Sequence, residues 1–128
     1  MPRAYLEHVN FTVSDPEITS RWLCDVFGWT IRWKGESIYG GTTFHVGGSD
    51  SYIALYSIGH SLTQDPRHSY HVQGGMNHVA IVVEDIDATE TRVIAHGFAT
   101  HSHADYEPGR RFYFRDTDGI EFEVVSYG

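Results

Sequence analysis

An α+β fold is predicted, built from two βαβββ modules whose curled mixed sheets surround a shared cup. Three observations point to it. The stretch from Gly75 to Asp87 has a near copy from Leu6 to Glu17, with His8 and His78, and Asp15 and Asp85, both offset by 70 residues; an internal repeat is the first signal to seek. Each copy alternates apolar and polar residues after its histidine and then meets an aspartate suited to cap a helix. Each is followed by short strand-like runs separated by glycine-rich turns.

Tyr5 to Val13 alternates as a strand, with Val9, Phe11 and Val13 on one face and His8, Asn10 and Thr12 on the other. Ser14-Asp15-Pro16-Glu17 then opens a helix, since a side-chain oxygen caps free N–H groups and proline suits the first turn. Ile18, Trp22, Leu23, Val26 and Phe27 give that helix its apolar stripe, and Gly28 ends it. Trp29–Trp33, Thr42–Val46 and Tyr52–Ser57 read as three further strands.

From Ile58 to Gly75 there is no periodicity, and a linker without a fold of its own is expected. Met76–Val83 repeats the first strand, placing Val79, Ile81 and Val83 on one face and His78, Ala80 and Val82 on the other. Asp85 caps a helix bearing Ile86, Val93 and Ile94 and stopped by Gly97, and Phe98–His101 is a short strand. Arg110–Arg115 and Ile120–Tyr127 form a hairpin across Asp116-Thr117-Asp118-Gly119. Residues 1–128 therefore read as one domain, with modules at about 4–58 and 75–128 and a linker at 59–74.

Composition narrows the function. A formal charge of −8 with a single lysine, Lys34, argues against nucleic acid and against an anionic membrane surface. Cys24 is the lone cysteine, so neither an internal disulfide nor a cysteine-based zinc site can form. With no signal pattern and no membrane-spanning apolar run, a cytoplasmic location is expected. Most of the nine histidines read as solvated surface residues.

His8 and His78 differ in lying opposite the helix-packed faces, as do Glu121 and Glu123 in the last strand. Two imidazoles and one carboxylate form a set that holds a divalent ion while leaving positions open for substrate; Fe, Mn, Ni, Co and Zn are all admissible. Glu121 lies nearer the turn and is expected at the exposed rim. Hydrogen-bonded histidines kept by duplication alone are the alternative.

The doubled pattern, together with the run from Arg111 to Glu123, resembles the vicinal oxygen chelate superfamily of glyoxalases, bleomycin resistance proteins and extradiol dioxygenases. Thr117 stands where proline is usual there, and Ile120 where Asn or His is common. The resemblance implies a divalent metal on His8, His78 and Glu123, a small-molecule substrate and a homodimer. Ala54 falls about where glyoxalase I-like members carry a fourth ligand, which favours the three-ligand arrangement of fosfomycin resistance proteins and extradiol dioxygenases.

The resulting expectation is a small metal-dependent lyase, isomerase, transferase or dioxygenase. Glu123, Tyr113 and Tyr56 are its candidate catalytic groups, and Tyr52, Ala54 and Arg111 its candidate substrate contacts. His45, His101 and His103 are further acid/base candidates near strand ends. The rival expectation is a non-catalytic small-molecule binder of bleomycin-resistance type, with a tyrosine-lined apolar pocket.

Overall fold

The computed structural model describes residues 2–64, 67–106 and 109–128. The chain divides into two units, Met1–Leu62 and Thr63–Gly128. The first runs β1 (His8–Thr12), α1 (Pro16–Phe27), β2 (Thr30–Glu36), β3 (Thr42–Gly47) and β4 (Tyr52–Ser57). The second runs β5 (Val79–Val82), α2 (Ile86–Ala95), β6 (Thr100–Tyr106), β7 (Gly109–Arg115) and β8 (Glu121–Ser126). The sheets are ordered β1-β4-β3-β2 and β5-β8-β7-β6. In each, the leading strand pairs in parallel with the last and the remaining pairs are antiparallel. These are the two predicted βαβββ modules, each a four-stranded mixed sheet.

The caps form as the sequence predicts. Asp15 accepts a hydrogen bond from the Glu17 N–H at 3.0 Å and Asp85 one from the Ala88 N–H at 3.0 Å. Gly28, at φ +70°, takes the left-handed conformation that closes α1. One face of each sheet holds a core: Val46, Ile53 and Leu55 lie with Trp22, Leu23 and Val26 of α1, and Phe112, Phe114, Phe122 and Val124 with Ile86 and Val93 of α2, all buried. The helical stripes differ from expectation at one position each. Ile18 and Ile94 are exposed, and Thr19 and Thr89 are buried in their stead. Thr19 lies three, four and seven residues before Trp22, Leu23 and Val26, at the middle of that stripe, whereas Ile18 lies at its edge.

Several boundaries also move. β1 begins at His8, where the ladder starts with the Tyr52 N–H bonded to the Glu7 carbonyl at 3.0 Å. β5 begins only at Val79, because the chain before it runs against the linker: the Gly75 N–H bonds to the Val72 carbonyl at 2.8 Å. β6 is longer than expected and carries a bulge between His101 and Ala104, with Ser102 at φ +57°. The linker is not featureless; Ser69–His71 forms a 3-10 turn. Residues 65 and 66 of that linker lie outside the described residues. No helix among the described residues is long and apolar enough to cross a membrane.

Candidate functional site

In the second unit the chemistry gathers on the sheet face turned away from α2. Register pairs Glu123 with Ala80 on one side and with Tyr113 on the other. Glu123 as a residue is only 6% exposed. Its Oε1 lies 3.0 Å from His78 Nε2, and its Oε2 accepts from Arg111 Nη1 at 2.9 Å. The Tyr113 ring meets the His78 imidazole edge-on at 5.6 Å between centroids. Burial next to the Glu123 carboxylate pushes the Tyr113 phenol above its ordinary range, so it stays a proton donor at neutral pH.

His78 is held from its other side. The Tyr70 hydroxyl lies 3.1 Å from His78 Nδ1 and donates to Glu121 Oε2 at 2.9 Å. Glu121 was expected at an exposed rim; it is 8% exposed, because the linker turn brings Tyr70 over it and Arg115 Nη2 sits 3.7 Å from its Oε1. A cleft of about 430 Å³ opens beside it, its wall including Arg67, His68, Met76, Arg115 and Glu121.

In the first unit the corresponding face is a row of rings. Trp33, His45, Tyr52 and His8 follow one another at centroid separations of 5.0, 4.4 and 4.8 Å. A bulge between Ile31 and Trp33 leaves Arg32 as an extra residue, and its guanidinium lies 4.6 Å from the centre of the Tyr52 ring. Glu7 Oε1 accepts from both His8 Nδ1, at 2.8 Å, and the Tyr52 hydroxyl, at 3.1 Å. Those two bonds hold the Glu7 carboxyl below the usual range, so it only accepts. Burial, with His8 and Arg32 nearby, lowers the His45 pKa. Ala54 is buried in β4 between the two tyrosines. The Tyr56 hydroxyl donates to the Ile38 carbonyl at 2.7 Å and packs on Gly41, where a Cβ would lie 2.5 Å from the ring.

The chain matches the Glyoxalase/Bleomycin resistance protein/Dioxygenase superfamily over residues 5–124. It belongs to that superfamily. No curated protein matches it. Solved structures with the same fold include a glyoxylase/bleomycin resistance protein/dioxygenase domain from Frankia sp. EAN1pec, at 23% identity and a TM-score of 0.82 over 99% of this chain and 94% of that one. The fosfomycin resistance protein FosX from Listeria monocytogenes, complexed with Mn(II) and sulfate, is similar at 21% identity and TM-score 0.73, covering 98% and 93%. TnmS3, an antibiotic binding protein from Streptomyces sp. CB03234, is similar at 18% identity and TM-score 0.72, covering 100% and 99%.

The superfamily makes a metal the first group to test against these residues. Ligands bound at about 2.1 Å and at right angles to one another stand roughly 3.0 Å apart, which is the separation of His78 Nε2 and Glu123 Oε1. The Tyr70 hydroxyl, with its one proton, bridges Glu121 Oε2 and His78 Nδ1. Between His78 Nε2 and the Glu123 oxygen stands either a proton or a metal ion. These two donors fit a divalent ion. Among the described residues, however, no group of three or more His, Cys, Asp or Glu side chains is placed to hold one. The third implied ligand, His8, belongs to the other unit.

Strand alternation puts Arg111, Tyr113 and Glu123 on one sheet face, and the structure brings them together with His78. It missed Tyr70, Glu7, Arg32 and Trp33. Tyr70 comes from an aperiodic segment, and Arg32 owes its aim to a bulge that no local signal marks. Glu7 lies inside the predicted run, where alternation sets it with Val9, but it precedes the observed β1 and turns instead to His8 and Tyr52. His101 stacks on Tyr113 at 6.2 Å, whereas His103 turns to the helix side and meets Glu90 at 2.6 Å.

Proposed function

We propose that this chain is a small metal-dependent enzyme acting on a small molecule that offers two adjacent oxygens, with His8, His78 and Glu123 as the protein ligands. One observation carries the reading: His78 Nε2 lies 3.0 Å from Glu123 Oε1, the separation two ligands of one divalent ion would have. An ion bound there supplies Lewis-acid polarisation of substrate oxygens. Arg111 donates to the Glu123 carboxylate and fixes its rotamer. Tyr113, held protonated, donates to an oxygen on which negative charge develops. Arg111 is 15% exposed along its side chain and can pair with an anionic substrate group while keeping Glu123. Tyr52 offers a ring wall, and Ala54 leaves room beside it. Tyr56 acts as an acid only by giving up its bond to the Ile38 carbonyl, so we assign it to holding that turn.

Metal analysis of tag-free protein tests the reading. The wild type should carry stoichiometric divalent metal, and His8→Ala and His78→Ala should each lose it while keeping the wild-type circular dichroism. Wild-type protein that stays metal-free after supplementation with Mn, Fe, Co, Ni and Zn would sink it. The same reading takes the chain as a cytoplasmic homodimer, and light scattering on the purified protein checks the dimer.

A second reading has its own observation. Arg111 already neutralises Glu123, so His78, Glu123 and Arg111 form a closed polar network without any ion. On that reading the chain is a binding protein, and the first unit's ring row takes an apolar ligand, as the likeness to an antibiotic binding protein supports. Such a protein would keep its ligand affinity after chelation.

A further inference from the structure

The cleft beside Glu121 lies between two irregular segments, the linker turn and the β7–β8 turn, and both are pinned. On the linker side the Gly75 N–H bonds to the Val72 carbonyl at 2.8 Å, and the Tyr70 hydroxyl lies 2.9 Å from Glu121 Oε2. A Cβ on Gly75 would stand 2.4 Å from the Ser69 carbonyl oxygen, so only glycine lets the lead-in to β5 pass against the turn. On the hairpin side Asp116 Oδ1 accepts from the Asp118 and Ile120 N–H groups. At about 430 Å³ the space between these segments is of small-molecule size.

Its polar groups are only partly used. Arg115 commits one N–H, from Nη1, to the Gly119 carbonyl at 3.2 Å, and its Nη2 stands 3.7 Å from Glu121 Oε1, beyond hydrogen-bond reach. Glu121 Oε1 therefore accepts no hydrogen bond among the described residues, and Asn77 Oδ1 is buried in the same wall without a partner among them. Arg67 lines the cleft from the linker, so two guanidinium groups border it in a chain of net charge −8. Val72, Met76 and Ile120 supply apolar wall.

We propose that this cleft binds a small carboxylate carrying an N–H or O–H donor on the adjacent carbon, an α-amino or α-hydroxy acid. Arg115 takes the carboxylate through its uncommitted N–H groups, and the donor bonds to Glu121 Oε1. A donor on the adjacent carbon lies next to the carboxylate, which suits two protein groups standing 3.7 Å apart. The site stands apart from the His78–Glu123 pair and needs no metal.

Amide spectra of the full 15N-labelled chain, recorded at constant ionic strength with acetate, glycolate, glycine and methylamine, test this. Glycolate and glycine should shift the Asn77, Gly119 and Ile120 amides. Acetate, which lacks the donor, should bind about 10-fold more weakly, the low end for one charge-assisted hydrogen bond. Methylamine, which lacks the carboxylate, should leave those amides unmoved. Arg115→Gln and Met76→Trp both change half-exposed side chains and are expected to fold; the first removes the guanidinium and the second fills the cleft, so each should abolish the shifts. The shifts should be the same with and without a chelator. The proposal is overturned if glycine and glycolate move none of these amides, if they move them equally in both variants, or if the shifts vanish on chelation, which would put the probe on a metal instead. Acetate binding as tightly as glycolate and glycine would overturn the part assigned to Glu121.

Discussion

The two units share a strand order, a cap at the same place and a bulge in the second strand of each sheet, yet their helix-free faces do opposite things. In the first, His8 sits in a row of stacked rings, with Glu7 and Arg32 at its margin. In the second, His78 sits among charges, with Glu123, Arg111, Glu121 and Arg115 linked through it and Tyr70. A duplicated backbone fixes which face a side chain takes. What that side chain meets is set by neighbours on other strands and in the linker, and these have diverged in charge. The first face is thus suited to contact area and the second to polarising a bound group.

The sharpest way to break this contrast is to remove one cation from each face. Arg111→Met leaves the Glu123 carboxylate, 8% exposed along its side chain, without its guanidinium partner. Losing one member of a buried pair costs about 3 kcal/mol or more. Arg32→Met removes a guanidinium lying on an aromatic ring at an exposed position, worth about 1 kcal/mol or less. Urea denaturation of the two variants should show that ordering. On the metal reading, saturating metal should recover much of the Arg111→Met loss, since an ion at His78 and Glu123 then replaces the missing charge. Equal and small losses would mean that the second face is not the electrostatic one.

A smaller effect separates the units by pH. Asp116, in the β7–β8 turn, accepts at Oδ1 from the Asp118 and Ile120 N–H groups, while its Oδ2 is buried with no hydrogen-bond partner among the described residues. Burial raises its pKa from 3.8 to about 6. The folded state therefore holds this proton more tightly than the unfolded chain. The resulting stabilisation is full below about pH 3.8 and is lost as pH rises through about 6. That span amounts to on the order of 2–3 kcal/mol. Asp50, in the β3–β4 turn of the first unit, is exposed. Asp116→Asn keeps an acceptor for both N–H groups, so the stability of the variant relative to wild type should rise between pH 4 and 6.5. A urea unfolding series of both proteins across that range checks the trend.

How far the sequence revealed the molecule follows the same division. Period-two alternation fixed the faces of Val9, Ile81, Phe112 and Phe122, and the aspartate signals fixed both helix starts, because strand and cap geometry depend on residues a few positions apart. The same rule placed Glu123 and Arg111 on one face. It could not place Tyr70, since a 3-10 turn in an aperiodic linker leaves no such signature, nor the burial of Glu121, which depends on that turn. The aim of Arg32 toward Tyr52 depends on a bulge, where alternation itself breaks. The readable part of the site is the part carried on regular strands. Its settings come from the irregular segments.

The smallest test asks whether the two helices, alike in their capping, rely on their caps alike. Asp15→Ala and Asp85→Ala each remove one side-chain acceptor from a helix N-terminus, a loss of about 1 kcal/mol. α1 has other support: proline in its first turn, a left-handed glycine cap and five buried residues over 12 positions. α2 has 10 residues, three of them buried, and its cap at His96 (φ −83°) is followed by Gly97 at φ +91°. With less packing to hold its first turn, α2 should lose more of its end when the cap goes. Amide exchange at Ala88 and Thr89 should then quicken more in Asp85→Ala than exchange at Ile18 and Thr19 does in Asp15→Ala. Equal exchange in the two variants would show that packing of the stripe, rather than its extent, governs how tightly each helix start is held.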